Sequence, residues 1–499
     1  MNPAAMANVM VVLVVIDSVC AAALYTVSMP HARAILLLSF TAFTLAAADW
    51  PQFRGPNAFG VSGTTGLPTE FGPGKNVIWK TALPPGHSSP VLSADRIFLT
   101  AFDDEHLYVI TLDRATGKIL WRREVPRPRK QKLHNSNSPA SPSVATDGRN
   151  VFAFFTDFGL VSYGSDGEER WRVPLGPFNN PFGLGASPVL ANGKVIQVCD
   201  SETGSFAVAV DQKSGRTVWR TERPEMTRGF ATPVLFQPAQ GALQALVAGT
   251  NRFVAYDVDT GKEVWWVRGL TWQMKPTPII AGGVAYVLGW AGGADQGNQQ
   301  QLPPFEEVLK VADANHDGKL SKDELPDQRY KDDFEDSDLD GDGFLSEREW
   351  RKYREKRTMI NSVMAVRLGG SGDMTDTNIL WRFYKSLPNV PSPLLYQDVL
   401  YLVKEGAILT ALDPANGSVL KQGRLKGALD FYYSSPVAAD GKIFASSQDG
   451  HVSVIRAGRD WEILAVNDMD DEVYATPAPV DGRLYLRTRG ALYCFGKTP

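Results

Sequence analysis

The stretch Ala209-Val-Asp211-Gln-Lys-Ser214-Gly215-Arg-Thr-Val-Trp219 decides the fold, because the chain repeats it. Close copies are Thr111-Leu-Asp113-Arg-Ala-Thr116-Gly117-Lys-Ile-Leu-Trp121 and Ala255-Tyr-Asp257-Val-Asp-Thr260-Gly261-Lys-Glu-Val-Trp265. An Asp that caps a turn and a Gly that takes positive φ make a tight hairpin between two strands. Ahead of each copy lies a small residue, a proline and an apolar run. The prolines are Pro90, Pro142, Pro188, Pro233, Pro278, Pro393, Pro436 and Pro477, spaced 41–52 residues apart except for 115 between Pro278 and Pro393. A period near 45 with four short strands per unit predicts a β-propeller. Removing one period from the long gap leaves about 70 residues for an insertion.

Closure sets the number of blades. The last unit, Ala475-Thr-Pro477 to Phe495, offers three strands, while Asn76–Leu83 reads as a fourth strand with no three before it. Pairing the two ends predicts eight blades with no open edge. Trp79, Trp121, Trp171, Trp219, Trp265 and Trp381 should cover the joints between blades. The unit ending in Lys421 lacks that Trp, and the one at Asp460-Trp461 has drifted further. The Asp–Thr-Gly–Trp pattern resembles the docking motif of the quinoprotein-like (PQQ-like) propeller family, over about residues 49–291 and 361–499. Within that family the chain is most similar to the non-catalytic, BamB-like branch. The opening Asp49-Trp50-Pro51-Gln52-Phe53-Arg54-Gly55-Pro56-Asn57 resembles exported propellers of that kind.

The insertion carries two loops of one design. Asp313, Asn315, Asp317, Lys319, Ser321 and Glu324 occupy positions 1, 3, 5, 7, 9 and 12 of the first; Asp338, Asp340, Asp342, Phe344, Ser346 and Glu349 occupy those of the second. Calcium takes six to eight oxygen ligands at about 2.3–2.6 Å, and the chain turns sharply enough at position 6 only with Gly, here Gly318 and Gly343. The carbonyls of Lys319 and Phe344 would add ligands, the two Ser residues would act through water, and each Glu would close its site with two oxygens. Leu320 and Leu345 should pair the loops. Phe305, Val308, Leu309 and Ala312 form an apolar helical stripe before loop one; Trp350 and Tyr353 share a face of a basic helix after loop two. Residues 302–358 resemble the EF-hand family. Only thirteen residues, with Pro326 among them, separate the loops, so the helices between must be short.

This segment holds 17 acidic against 11 basic side chains, so the net charge of −4 belongs to it and no basic stripe marks a nucleic-acid partner. Residues 1–48 read as a signal region, with Met29 as the expected true start, a basic Arg33, an apolar core and cleavage after Ala48. The domains expected are then a propeller part at 49–301, the EF-hand pair at 302–358 and a second propeller part at 359–499, closed by strand 76–83. Cys199 and Cys494 lie far apart in the repeat and should be buried thiols. No Cys-x-x-Cys-His haem motif, zinc spacing or phosphate loop occurs. In the resembled family's enzymes, pyrroloquinoline quinone and calcium sit over the propeller axis with an Asp base. Their adjacent-cysteine ring has no counterpart here and their ligands cannot be placed, although Arg228, Trp272 and Lys275 lie in connections where a cofactor would sit. The expectation is therefore no catalytic set and no quinone, but two calcium ions. The protein should be an exported, monomeric ring of the periplasm or cell envelope, peripherally associated there. Protein partners are expected on the face of the interblade loops, beside clusters such as Lys130–Asn137, Asn179-Asn180, Asp430 with Tyr432-Tyr433, and Asp468–Glu472. The alternative is a divergent quinone-dependent alcohol or sugar dehydrogenase.

Overall fold

The computed structural model describes residues 50–497; the signal region and its cleavage site, expected at 1–48, lie outside them. Eight antiparallel sheets of four blade strands each follow one another around a ring. Blade 1 runs Val91–Leu92, Arg96–Phe102, Leu107–Asp113 and Ile119–Val125, from the axis outward. The middle strands are buried almost throughout, being covered by the sheets on either side, whereas outer strands are mostly exposed, as in Ile119–Val125, where Trp121 and Val125 are buried. Blade 8 takes its outer strand from the other end of the chain: Val77–Ala82 pairs with Ala491–Phe495, with Trp79 opposite Cys494 and Ala82 opposite Ala491. The ring therefore closes as the sequence predicts.

The tryptophans close the joints, although each lies within its outer strand rather than at its end. Trp121, Trp171, Trp219 and Trp381 each donate an indole N–H to a backbone carbonyl in the next blade's turn, at Ser165, Gln212, Val258 and Pro414, over 2.9–3.0 Å. Their rings lie on the turn glycine. A Cβ on Gly215 would come within 2.8 Å of Trp171, and the glycine's φ of 71° already favours Gly. Two joints differ. Trp265 is sealed by Gly372–Asp373, a short strand of blade 5 that pairs in parallel with Trp265 and Trp266. At blades 6 and 7 the Trp comes from the following blade: Lys421 lies over Trp461 at 5.0 Å and donates to its carbonyl.

Around the axis, the residue opening each innermost strand carries a hydroxyl that accepts from the backbone N–H of the blade before. The circuit runs Ser89, Ser143, Ser187, Thr232, Thr277, Ser392, Ser435, Thr476 and back to Ser89, every bond 2.9–3.2 Å. This collar corrects one repeat boundary: in blade 2 the matching pair is Ser143-Val144, not a residue before Pro142. Beyond the collar, residues 50–62 cross the ring and close the channel. Trp50 bridges Leu92, Asn57 exchanges two bonds with Leu235, and Gly60 and Ser62 bind Ala438. Arg54, wholly buried, donates to the carbonyls of Pro393 and Pro436.

The insertion leaves blade 5 after its second strand, Val284–Gly289, and returns at its third, Ser362–Arg367. It folds as helices α1 (Phe305–Ala312), α2 (Gln328–Asp332), α3 (Phe334–Ser337) and α4 (Glu347–Thr358). Leu320 pairs with Leu345, and Trp350, fully buried, centres a small core with Phe305, Phe334 and Tyr353. Both cysteines of the ring are free and buried.

Candidate functional site: two acidic loops and the channel of the ring

All twelve predicted ligand residues fall on the two loops, and each loop wraps its own acids. Asp313 accepts from the N–H groups of Asp317 and Gly318, and Asp338 from those of Gly341, Asp342 and Gly343. Glu324 and Glu349, at position 12, reach back in the same way: Glu324 accepts from Ala314 and Ser321, Glu349 from Leu339 and Ser346. Ser346 and Glu349 form a capping box, so the start of α4 holds the closing carboxylate in place. In loop two, carboxylate oxygens of Asp338, Asp340 and Asp342 lie within 4.8 Å of one another. Burial first, and then the Glu349 charge, push Asp340 above the usual carboxylate range. Such crowded like charges call for a cation. The Lys319 ammonium, 2.8 Å from Asp342, links the loops.

The loops differ in their surroundings. Loop one is exposed and bonds within the insertion. Loop two lies on the ring: Asn179 donates to the Leu339 carbonyl at 2.7 Å, and Arg348 to the Glu202 carbonyl at 3.1 Å. Further along α4, Lys352 donates to the Glu225 carbonyl, and Lys356 lies 4.5 Å over Trp272. Burial, chiefly, lowers the Lys356 ammonium to about 8. Asp336 of α3 binds Arg228 at 3.1 Å, and Arg228 is itself paired with buried Glu202. These ring residues all lie in interblade connections or between second and third strands, so they share one face. The tether at 294–301 is polar and low in complexity, a composition that predicts few contacts across it; the structure differs, because α3 and α4 point their charges at the ring.

On that face the channel opens into a cavity of about 410 Å³, whose floor includes Phe53 of the crossing segment. Residues two before the collar line it, because alternate residues of an extended chain share a side. They are His87, Ser141, Gly185, Phe230, Lys275, Val390, Tyr433 and Tyr474. His87 stacks on Tyr474 at 4.0 Å, and Tyr433 continues the wall. Burial, first, with Arg487 and Arg489, drives His87 down to about 3, so it is neutral. Among the described residues the Lys275 ammonium bonds two neutral amides, Gln273 at 2.7 Å and Asn389 at 2.8 Å, near the Trp290 ring. Burial chiefly, and then Arg228, lower it to about 7. Of the rim clusters read from sequence, Tyr432 is a core residue whose hydroxyl binds the Ala428 carbonyl, and Asn180 is buried. The collar escaped that reading, though seven of its hydroxyl residues visibly precede a proline.

A calcium–quinone pair at this axis would need acidic ligands for its metal and a carboxylate base. Among the described residues no Asp or Glu lines the cavity, so the residues present do not fit that pair.

A ring of Asp–Gly–Trp blades with two acidic loops on its face defines a quinoprotein-like propeller bearing an EF-hand pair. The model described as outer membrane protein assembly factor BamB matches residues 70–206, 203–302 and 361–498, and the chain belongs to that family. The EF-hand model matches residues 305–326 and 332–352. No curated protein matches the chain. Among solved structures, BamB from Moraxella catarrhalis is 15% identical with a TM-score of 0.52, covering 84% of this chain and 98% of its own. A europium-containing methanol dehydrogenase is 12% identical with a TM-score of 0.54, covering 90% and 98%. The quinohemoprotein alcohol dehydrogenase of Comamonas testosteroni is 14% identical with a TM-score of 0.54, covering 91% and 82%. These likenesses show the fold.

Proposed function

We propose that this protein is an exported scaffold of the cell envelope whose ring carries two calcium sites, one built into its partner-binding face. Asp313, Asn315, Asp317, Lys319, Ser321 and Glu324 would hold the first ion, and Asp338, Asp340, Asp342, Phe344, Ser346 and Glu349 the second. The observation that carries the reading is loop two, where three carboxylates converge while Leu339 and Arg348 of the same loop bind the ring. Metal there would neutralise the cluster and order the segment that docks. A rigid ring that displays many loops on one face suits protein recognition. The family's description, an outer-membrane assembly factor, supports the envelope and the scaffold role. Among the described residues no helix is long and apolar enough to cross a membrane.

Calorimetry with calcium tests the sites, expected as two with affinities on the order of 10⁻⁴–10⁻³ M or tighter. No heat would remove the assignment. Immobilised protein should retain its envelope partner differently in calcium and in chelator; equal retention would remove the regulatory part. The exported protein should begin near Asp49 on N-terminal sequencing, and an intact Met29 or Met1 on a soluble product would refute cleavage. The dehydrogenase alternative would need acids at the cavity, which its lining lacks.

A further inference from the structure

The channel is built in two tiers that behave differently. In the lower one, all eight blades contribute a buried hydroxyl, and each oxygen accepts a backbone N–H. A hydroxyl that accepts still has one proton to give. No described hydrogen bond takes a collar proton, so the collar offers donors to the axis. In the upper tier the blades diverge, and the differences concentrate charge and rings. Blade 5 places Lys275 there, whose ammonium faces the cavity with two neutral amides and no ion pair among the described residues. Opposite, blades 7, 8 and 1 place the stacked Tyr433, Tyr474 and His87. Beneath the collar Arg54 is fully buried and does not line the cavity, and among the described residues its Nε and one terminal nitrogen have no hydrogen-bond partner. The Lys275 ammonium above, collar donors below and no carboxylate in the lining give a cavity that favours negative charge.

The geometry points to a small-molecule site in the channel for a ligand with one anionic head, carboxylate or phosphate, on a flat apolar body. The head would meet Lys275 and the collar hydroxyls, and the body would lie along Tyr474 and Tyr433. A desolvated ammonium beside neutral amides gains when an anion arrives, since a charge-assisted bond replaces neutral ones. Burial has already lowered this lysine toward neutrality, and a bound anion would restore its charge. The size fits, because such pockets run from about 300 to 1,000 Å³. The site is independent of the calcium loops and rests on the ring alone.

The test uses the full chain in calcium and three probes of equal body: 1-naphthoate, 1-naphthyl phosphate and neutral 1-naphthylmethanol. Calorimetry should show one site, with at least one of the anionic probes bound about ten-fold or more tighter than the alcohol. The better of the two identifies the head. Lys275→Met should erase that preference, and Lys275→Arg should keep most of it. Should Lys275→Met fold poorly, Asn389→Asp serves instead: it sets a carboxylate on the ammonium, and anion binding should vanish while the melting temperature holds. Equal binding of all three probes, no binding to the folded protein, or an undiminished preference in Asn389→Asp would each overturn the site.

Discussion

The ring and the inserted module are held together in different ways. In the ring, five of the eight joints repeat one device, an indole on the next blade's turn glycine, and the collar repeats another around the whole axis. The collar and the ring of blades are closed circuits, so a break anywhere is felt by the whole. The module instead relies on a small core around Trp350, two acidic loops and a handful of polar contacts with the ring. Polar interfaces of this kind between domains are adjustable, while large apolar ones are not. The difference separates a scaffold from the part that can respond.

The largest effect should come from cutting the circuit. Deleting Val77–Ala82 removes the outer strand of blade 8, exposes the Ala491–Phe495 edge and takes Trp79 from its joint with Gly117. Loss of a buried Trp alone costs about 3–5 kcal/mol. Thermal melting should show a large drop or a chain that does not fold. An unchanged midpoint would mean that closure does not bind the ring as one unit. The converse cut should be mild. Replacing Leu302–Thr358 by a short Gly-Ser linker leaves every blade strand in place, and Arg228 keeps its partner Glu202. Cooperative melting should persist with a midpoint lower by a few degrees. A ring that fails to fold would make the module part of the scaffold.

The sequence revealed the ring more fully than its decoration, for a physical reason. A repeat states each contact many times, so Asp211, Gly215 and Trp171 could be read from copies of themselves. Calcium loops are equally legible because six ligand positions fall within twelve residues. What escaped was non-repeating and long-range. Arg228 meets Asp336 across 108 residues, and Asn57 meets Leu235 across 178. The crossing segment 50–62 binds backbone carbonyls, which leave no mark on the sequence of their partners. Trp265 followed the motif, yet its cover came from Gly372–Asp373, outside any repeat. Tyr432 looked like a rim residue because its neighbours are, and one step of alternation turns it inward.

Within the module, the two loops should separate a docked site from a free one. Glu349 is 2% exposed and accepts from Leu339, Asp340 and Ser346, whereas Glu324 is half-buried in a loop that bonds only inside the module. Each Glu→Gln variant should cost one calcium site by calorimetry. Glu349→Gln also leaves buried loop donors short of an acceptor, at about 1–3 kcal/mol of local stability. Hydrogen exchange should therefore rise at loop two and at its ring contacts around Glu202 and Glu225. Glu324→Gln should leave those contacts as protected as before. Equal responses would mean that docking does not distinguish the loops.

The smallest effect expected is at Asp336, and it bears most directly on how the two regions communicate. Its carboxylate is 63% exposed, and Arg228 bonds it through both terminal nitrogens at 3.1 Å. With one partner this exposed to water, the pair contributes about 0.2–1 kcal/mol and weakens with salt. In Asp336→Asn the Arg228 charge is still met by Glu202, so no buried charge is stranded and the ring's melting midpoint should barely move. The docked state should loosen, with faster exchange in α3 and at the Trp272 connection, and the difference from wild type should fade in high salt. The converse change, Arg228→Met, would leave Glu202 buried without its cation, which costs about 3–5 kcal/mol and would disturb the ring itself. If Asp336→Asn instead melted the ring as Arg228→Met should, the module would be a load on the scaffold's own core. If exchange in α3 did not change at all, the contact would be incidental, and Leu339, Arg348 and Lys352 would carry the docking alone.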